Sequence, residues 1–123
     1  MTIVGTGVDL VEVPRFDRVV KRSGERFLHR VFTDGELKYA RSRKTMMQHL
    51  AARFAAKEAV VKALGAPKGL GLEWHDLEIS HSASGQPQVV FHRSMSRWRK
   101  LEVHLSLTHT AEYAVATALG LSP

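Results

Sequence analysis

Arg53-Phe54-Ala55-Ala56-Lys57-Glu58-Ala59-Val60-Val61-Lys62 is the stretch whose reading decides the fold. Leu50, Phe54, Val61 and Leu64 follow the spacing that puts apolar side chains on one helical stripe. Lys57 stands in the middle of that stripe, where the pattern asks for an apolar residue. Ala51, Ala52, Ala55, Ala56, Ala59 and Ala63 cover much of the remaining surface. A helix that is apolar nearly all round is a buried helix. Arg53, Lys57, Glu58 and Lys62 must then partly leave water, which is tolerated only when a charge is paired or meets a ligand or metal. A plainer reading stands beside this one. Lys57 can snorkel outward along its stem, and Glu58 with Lys62 is an ordinary i,i+4 pair worth about 0.2–0.5 kcal/mol.

Outward from this segment, the helix spans roughly Thr45 to Leu64, Gly65 ends it, and Ala66 to Leu72 is a Gly/Pro loop. Upstream, Thr2 to Val11 reads as a strand. Pro14 suits the first turn of a helix that runs to about Ser23, with Gly24 as terminator. Arg26 to Arg43 suggests short helical pieces around a Thr33-Asp34-Gly35 turn, and Thr33 with Glu36 forms a capping-box pattern. Downstream, 76–80 and 87–92 read as a hairpin around Ser84-Gly85, and Ser94 to Lys100 as a short helix. Val103 to Thr108 and Tyr113 to Leu119 read as two more strands. Helices dominate the first half and strands the second. The expectation is one α+β domain over residues 1–123, an antiparallel sheet packed against a long central helix.

The chain has 123 residues, no cysteine and a net charge of +6. The absence of cysteine excludes disulfides and thiolate metal sites and fits a cytoplasmic location. No apolar run is long enough for a membrane span, and the N-terminus lacks a signal-peptide pattern. Residues 1–62 hold thirteen Lys/Arg against seven Asp/Glu, whereas residues 63–123 hold five of each, so all the excess positive charge is N-terminal. That asymmetry points to an anionic partner: nucleic acid, a phosphorylated small molecule or an acidic protein.

Asp9 lies inside the first strand. Alternation puts Ile3, Gly5, Gly7, Asp9 and Val11 on one face, so the carboxylate shares its side with two glycines that let another backbone approach closely. An Asp at a strand end, solvated or capping the next helix, is the plainer alternative. Asp9 and Glu58 together can hold a hard cation such as Mg²⁺, with substrate phosphates and water completing its shell. Arg53, Lys57 and Lys62 can neutralise further phosphate oxygens, a set suited to attack at phosphorus. Zinc is rejected: no His-x-x-x-His occurs on a helix, and His104 and His109 face opposite sides of their strand. His109 ends an inward row with Val103, Leu105 and Leu107, either as a ligand contact or as a satisfied core histidine. Arg15, Arg18 and Arg22 form a basic stripe on the first helix, either a solvated face or a docking surface for an acidic partner.

These residues resemble the holo-acyl-carrier-protein synthases, the small bacterial phosphopantetheinyl transferases. Gly5-Thr6-Gly7-Val8-Asp9-Leu10-Val11-Glu12 with Arg15 is similar to the family's N-terminal motif. Arg53 to Ala59 and then Lys62-Ala63-Leu64-Gly65 match its central helix, and Ser106-Leu107-Thr108-His109-Thr110 with Tyr113-Ala114 resembles its C-terminal motif. Gly71, Trp74, Asp76, Gly85 and Pro87 also fall where such residues are usual, and Thr108 stands where the family commonly has Ser. The resemblance implies Mg²⁺-dependent transfer of 4′-phosphopantetheine from coenzyme A to a serine of an acyl carrier protein, releasing 3′,5′-ADP and supporting fatty acid or polyketide biosynthesis. It implies Asp9 and Glu58 as metal ligands and, with Lys62, as the catalytic set. Coenzyme A contacts would come from Arg53, Lys57, Lys62, Gly65, Pro87, His109 and Thr110. Docking of the acidic carrier protein would fall to Arg15, Arg18 and Arg22, and the assembly would be a homotrimer with sites between subunits. The proton acceptor for the attacking serine stays open between Glu58 acting through water, a metal-bound water, and no dedicated base. A basic nucleic-acid-binding module is the competing class. It leaves Asp9 and Glu58 without a role, and the first helix lacks interleaved aromatics, so no nucleic-acid or membrane partner is expected.

Overall fold

A computed structural model of the chain describes residues 1–66 and 72–123. Most of the expected Gly/Pro loop, Gly71 included, lies outside the described residues. The chain runs β1 (Thr2–Glu12), α1 (Val13–Val31), α2 (Asp34–Arg41), α3 (Met46–Leu64), a 3₁₀ turn at Trp74–Asp76, β2 (Leu77–His81), β3 (Pro87–Phe91), a second 3₁₀ segment at Arg93–Trp98, β4 (Glu102–His109) and β5 (Tyr113–Ser122). Strands β1, β5 and β4 form an antiparallel sheet in that order, and β2 with β3 forms a separate hairpin. The α+β class with an antiparallel sheet against a long central helix is therefore borne out.

Helix α3 is the axis of the molecule. Its small residues Ala51, Ala55, Ala56, Ala59 and Ala63 are buried, as are Leu50, Val60 and Leu64. One side lies on the β1-β5-β4 sheet and the others meet α1, α2 and the hairpin. Gly65 closes it with φ 63°, the left-handed conformation that glycine adopts without a Cβ clash, and its N–H donates to the Lys62 carbonyl at 3.1 Å.

The seam between β1 and α3 depends on missing side chains. A Cβ on Gly7 would overlap the Ala59 carbonyl oxygen and lie 2.8 Å from its carbon; one on Gly5 would overlap the Ala63 carbonyl oxygen. The backbones can approach this closely only because both strand positions are glycine and both helix positions alanine. Gly5, Gly7, Asp9 and Val11 are accordingly half-buried against the helix, while Thr6, Val8 and Leu10 face outward. Ile3 departs from the expected row. A register irregularity between Ile3 and Gly5 breaks the alternation and leaves Ile3 exposed.

Helix α1 also departs from expectation. It does not end at Gly24 but kinks there (φ 63°, ψ −149°) and continues to Val31. The residue that interrupts the helix also permits the turn, and Leu28 and Val31 are buried beyond it, so packing continues what local propensity stops. The Thr33–Glu36 capping box is present: Thr33 Oγ1 accepts from the Glu36 N–H at 3.1 Å, and Glu36 Oε1 accepts from the Thr33 N–H at 2.8 Å. The hairpin turns at Gly85, φ 87°.

Candidate active site

Among the described residues, two of the clefts that border α3 gather the predicted site residues. The first, about 490 Å³, is lined by Asp9 and Glu12 of β1, Arg15 and Phe16 of α1, and Phe54 and Glu58 of α3. The close β1–α3 seam brings the two acids predicted as metal ligands to one cavity. Lys62, one helical turn beyond Glu58, donates from Nζ to the Val8 carbonyl at 2.9 Å and to Asp9 Oδ1 at 3.3 Å. Its side chain is 52% exposed against 19% for Asp9 and lines a neighbouring cleft with Gly7 and Val8, so the solvated ammonium can leave Asp9 with little loss. Arg15, Arg18 and Arg22 are exposed along α1 while Phe16 and Val20 are buried, and Arg15 borders the cleft.

The second cleft, about 410 Å³, opens between α2, α3, the hairpin and β4 and is lined by Tyr39, His49, Arg53, His81, Pro87 and His109 among others. The guanidinium carbon of Arg53 lies 4.1 Å from the Tyr39 ring centroid, and Nη2 lies 3.3 Å from His81 Nδ1. Tyr39 stacks on His81 with centroids 4.9 Å apart at 23°. His49 and His109 meet edge to face at 4.8 Å, and His109 Nδ1 donates to Gln48 Oε1 at 2.9 Å. Burial pushes Arg53 below its ordinary range. Its Nε is buried and has no hydrogen-bond partner among the described residues. Burial also lowers the His49 pKa, reinforced by His109, Arg53 and Arg43; burial lowers that of His81, reinforced by Arg53 and Arg43.

Two expected contacts are corrected. Lys57 does not face a ligand. Its Nζ is fully buried, paired with Glu36 Oε1 at 2.7 Å and donating to the carbonyls of Val31 at 2.7 Å and Trp74 at 3.0 Å. Three partners exhaust the three donors of an ammonium and leave none for a phosphate. Thr110 sits in the β4–β5 turn rather than on the lining of the cleft. Its Oγ1 accepts from the backbone N–H groups of Glu112 and Tyr113 at 3.2 and 3.0 Å. Tyr39, His49 and His81 are the cleft residues that sequence reasoning missed. The i,i+4 spacing of His49 and Arg53 was the available signal, since it places both on one helical face.

The deciding comparison is with protein families: residues 5–118 match the model described as the 4′-phosphopantetheinyl transferase superfamily. The chain belongs to this superfamily. Among curated superfamily relatives, the holo-[acyl-carrier-protein] synthase of Koribacter versatilis is 42% identical over 121 residues, covering 95% of this chain and 97% of that one. That of Vibrio atlanticus is 39% identical over 123 residues, covering 97% and 98%. Among solved transferase structures, the holo-[acyl-carrier-protein] synthase of Neisseria meningitidis superposes with a TM-score of 0.88 at 30% identity, over 98% of this chain and 100% of that one. The Bacillus anthracis synthase, solved in complex with coenzyme A (3′,5′-ADP), gives a TM-score of 0.83 at 31% identity over 100% of both chains. No helix among the described residues is long and apolar enough to cross a membrane.

Proposed function

We propose that this transferase is a holo-acyl-carrier-protein synthase that moves 4′-phosphopantetheine from coenzyme A to a serine hydroxyl of an apo acyl carrier protein. The observation that carries the reading is the cleft shared by Asp9 and Glu58, with the Lys62 ammonium on Asp9. Two carboxylates offering hard oxygen donors fit Mg²⁺, and the ammonium on Asp9 Oδ1 marks a position where a cation is already favoured. Asp9 and Glu58 would hold the ion, which when bound neutralises charge on the pyrophosphate oxygens.

The chain's own residues do the rest by positioning and fixed charge. The serine oxygen gives up its proton to water and forms a bond to the phosphorus bearing the pantetheine arm, and the bond from that phosphorus to the 3′,5′-ADP oxygen breaks. Lys62, released from Asp9, donates to the oxygens that gain charge as that bond lengthens. Arg53 and His109 contact the nucleotide end from the second cleft, Pro87 shapes its wall, and Gly65 closes α3. Arg15, Arg18 and Arg22 receive the acidic carrier protein beside the acid pair, which brings its serine to the cleft mouth. The outer sheet face leaves Val8 at 58%, Leu10 at 60% and Tyr113 at 46% exposure. A bare apolar sheet face supports burial between copies, and the homotrimer implied by the family resemblance closes such a face in a ring.

Incubating the protein with coenzyme A, Mg²⁺ and an apo carrier protein, then weighing the carrier, tests this reading. The expected result is a mass gain of one phosphopantetheine that disappears with a chelator and in Asp9→Ala. An unmodified carrier under saturating substrates would overturn it.

A further inference from the structure

The positive charge of the second half of the chain is concentrated in one place. Of the five Lys/Arg in residues 63–123, four are Arg93, Arg97, Arg99 and Lys100, and no Asp or Glu stands between Glu78 and Glu102. These four residues belong to the second 3₁₀ segment and the two positions after it. The Leu101 N–H still donates to the Trp98 carbonyl at 2.9 Å, which carries the i→i+3 pattern past the end of the segment. Three residues per turn stack the side chains at i and i+3 into ridges. Met95, Trp98 and Leu101 form one ridge, with Met95 buried and the other two half-buried against the core. Arg93 and Arg99 share the second ridge, and Arg97 and Lys100 the third. All four cations are exposed, so two of the three sides of the segment are positive faces in solvent. Arg93 holds φ 38°, a conformation that favours glycine, and its side chain reaches Asp76 only at 3.5 Å while staying 79% exposed. Glu102, the next acid along the chain, is bonded to His104 at 2.8 Å.

Beside these ridges lies an apolar groove. Strand β3 belongs to the hairpin and β4 is an edge of the other sheet, and between them a cavity of about 310 Å³ is lined by Val89, Val90, Phe91, Leu101, Val103 and Arg99. Arg99 Nε donates to the Phe91 carbonyl at 3.1 Å, which anchors the guanidinium at the groove and leaves its Nη donors to other acceptors. Arg97 lies over the Trp98 ring, 4.3 Å from its centroid. Val103 belongs to the helix-facing row of β4, so the groove is not part of the outer sheet face that a trimer would cover. None of the four cations lines the cleft of Asp9 or the cleft of Arg53. We propose that this segment and its groove form a contact for the surface of an anionic phospholipid bilayer, with the two basic ridges on headgroup phosphates and the groove against the apolar carbon beneath them. Cations flanking an apolar recess, with an indole between them, match the boundary between headgroup and acyl chain. Single-stranded nucleic acid would instead need an open aromatic face for stacking, and the Trp98 ring is covered by Arg97. Such a contact needs no spanning helix, so the lack of a long apolar run does not bear on it.

The test is co-sedimentation of the full-length protein with vesicles of phosphatidylglycerol or of phosphatidylcholine. The protein is expected to sediment with the anionic vesicles, to ignore the zwitterionic ones, and to release as salt rises. Arg97→Glu/Lys100→Glu is expected to lower partitioning at least about tenfold, since each Lys/Arg near an anionic surface adds roughly fivefold in affinity. Val90→Asp, which places a carboxylate at the groove, is expected to lower it as well. Arg18→Glu/Arg22→Glu on α1 should leave partitioning nearly unchanged, which separates this surface from the general positive charge of the protein. Transfer to a soluble carrier protein should be unaffected in Arg97→Glu/Lys100→Glu. The two ridge positions are fully solvated, so this comparison stands even if Val90→Asp fails to fold. Wild-type protein that stays in the supernatant with phosphatidylglycerol overturns the inference. So does a ridge variant, or a folded Val90→Asp, that partitions like wild type, or an equal loss on reversing the α1 arginines. Binding to a generic duplex or to the apo carrier that the ridge variant weakens, without vesicle partitioning, assigns the surface to that partner and overturns the lipid contact.

Discussion

Replacing Glu36 by alanine strikes the dry ion pair at the centre of the fold. The Glu36 carboxylate holds Lys57 Nζ at 2.7 Å and the Thr33 N–H at 2.8 Å through Oε1, and the Ile79 N–H at 2.8 Å through Oε2. Both side chains are fully buried. Removing one partner of a buried pair costs roughly 3–5 kcal/mol, and orphaning the Ile79 N–H adds at least about 1 kcal/mol, for a total of about 4–6 kcal/mol. A domain of this size has about 5–15 kcal/mol in all, so Glu36→Ala is expected to be barely folded. Glu36→Gln keeps an acceptor and loses only the charge, and should fall between. Burial already depresses the Lys57 pKa and the Glu36 charge opposes that depression. Without Glu36 the folded state gives up its proton more readily than the unfolded chain, whose lysine titrates near about 10.4. The unfolded state then binds more protons, so the variant's stability rises as pH rises toward that value. Urea unfolding at one fixed protein concentration, with the m-value checked for constancy, measures the loss. A cost for Glu36→Ala below about 1 kcal/mol, the range of exposed pairs, would refute the assignment of a dry pair.

Other outcomes follow from the same geometry. Gly7→Ala is expected to lower the melting temperature sharply and impair transfer, because its Cβ meets backbone atoms of Ala59 that cannot yield, whereas Gly120→Ala, whose nearest neighbour is 3.6 Å away, should be nearly neutral. Asp9→Ala and Glu58→Ala should each abolish most turnover while circular dichroism stays native; near-normal Mg²⁺-dependent activity in either removes it as a metal ligand. Lys62→Ala should cost about 2–4 kcal/mol in kcat/KM with little change in melting temperature. Arg15→Glu should raise KM for the carrier far more than for coenzyme A, and the difference should shrink with salt, since screening acts over about 8 Å at physiological ionic strength.

The sequence revealed the elements whose composition and periodicity agree. The alanine-rich run with Gly65 behind it made α3 legible, and alternation placed Asp9 on the helix side of β1. The fates of Lys57 and Glu36 show where such reading stops. Periodicity put the lysine inside, and the capping-box pattern found the glutamate, but nothing local says that helices α2 and α3 bring the two together. From sequence alone Lys57 therefore reads as a phosphate contact, although its partner lies 21 positions upstream. His49 and His81 sit on a helix and a hairpin strand that meet only through tertiary packing, so their cluster left no spacing signal between them. Gly24 marks a break but not an end, because the burial of Leu28 and Val31 outweighs local propensity.

The glycine–alanine seam has a consequence for how the molecule opens. Local fluctuations reach loops and edges cheaply, whereas elements at the centre exchange their amide protons only when the whole domain unfolds. Asp9 and Glu58 lie on the two elements joined by that seam, with β5 hydrogen-bonded along β1 from Thr2 to Glu12. Separating the acids therefore means prising strand from helix through the core, with no hinge between them. Amides of α3 around Glu58, and the β1 amides hydrogen-bonded to β5, should exchange at the slow global rate, while those of the Ser82–Gly85 turn exchange early. Thermal inactivation should then track global unfolding, with no earlier stage at which the folded chain has lost its acid pair.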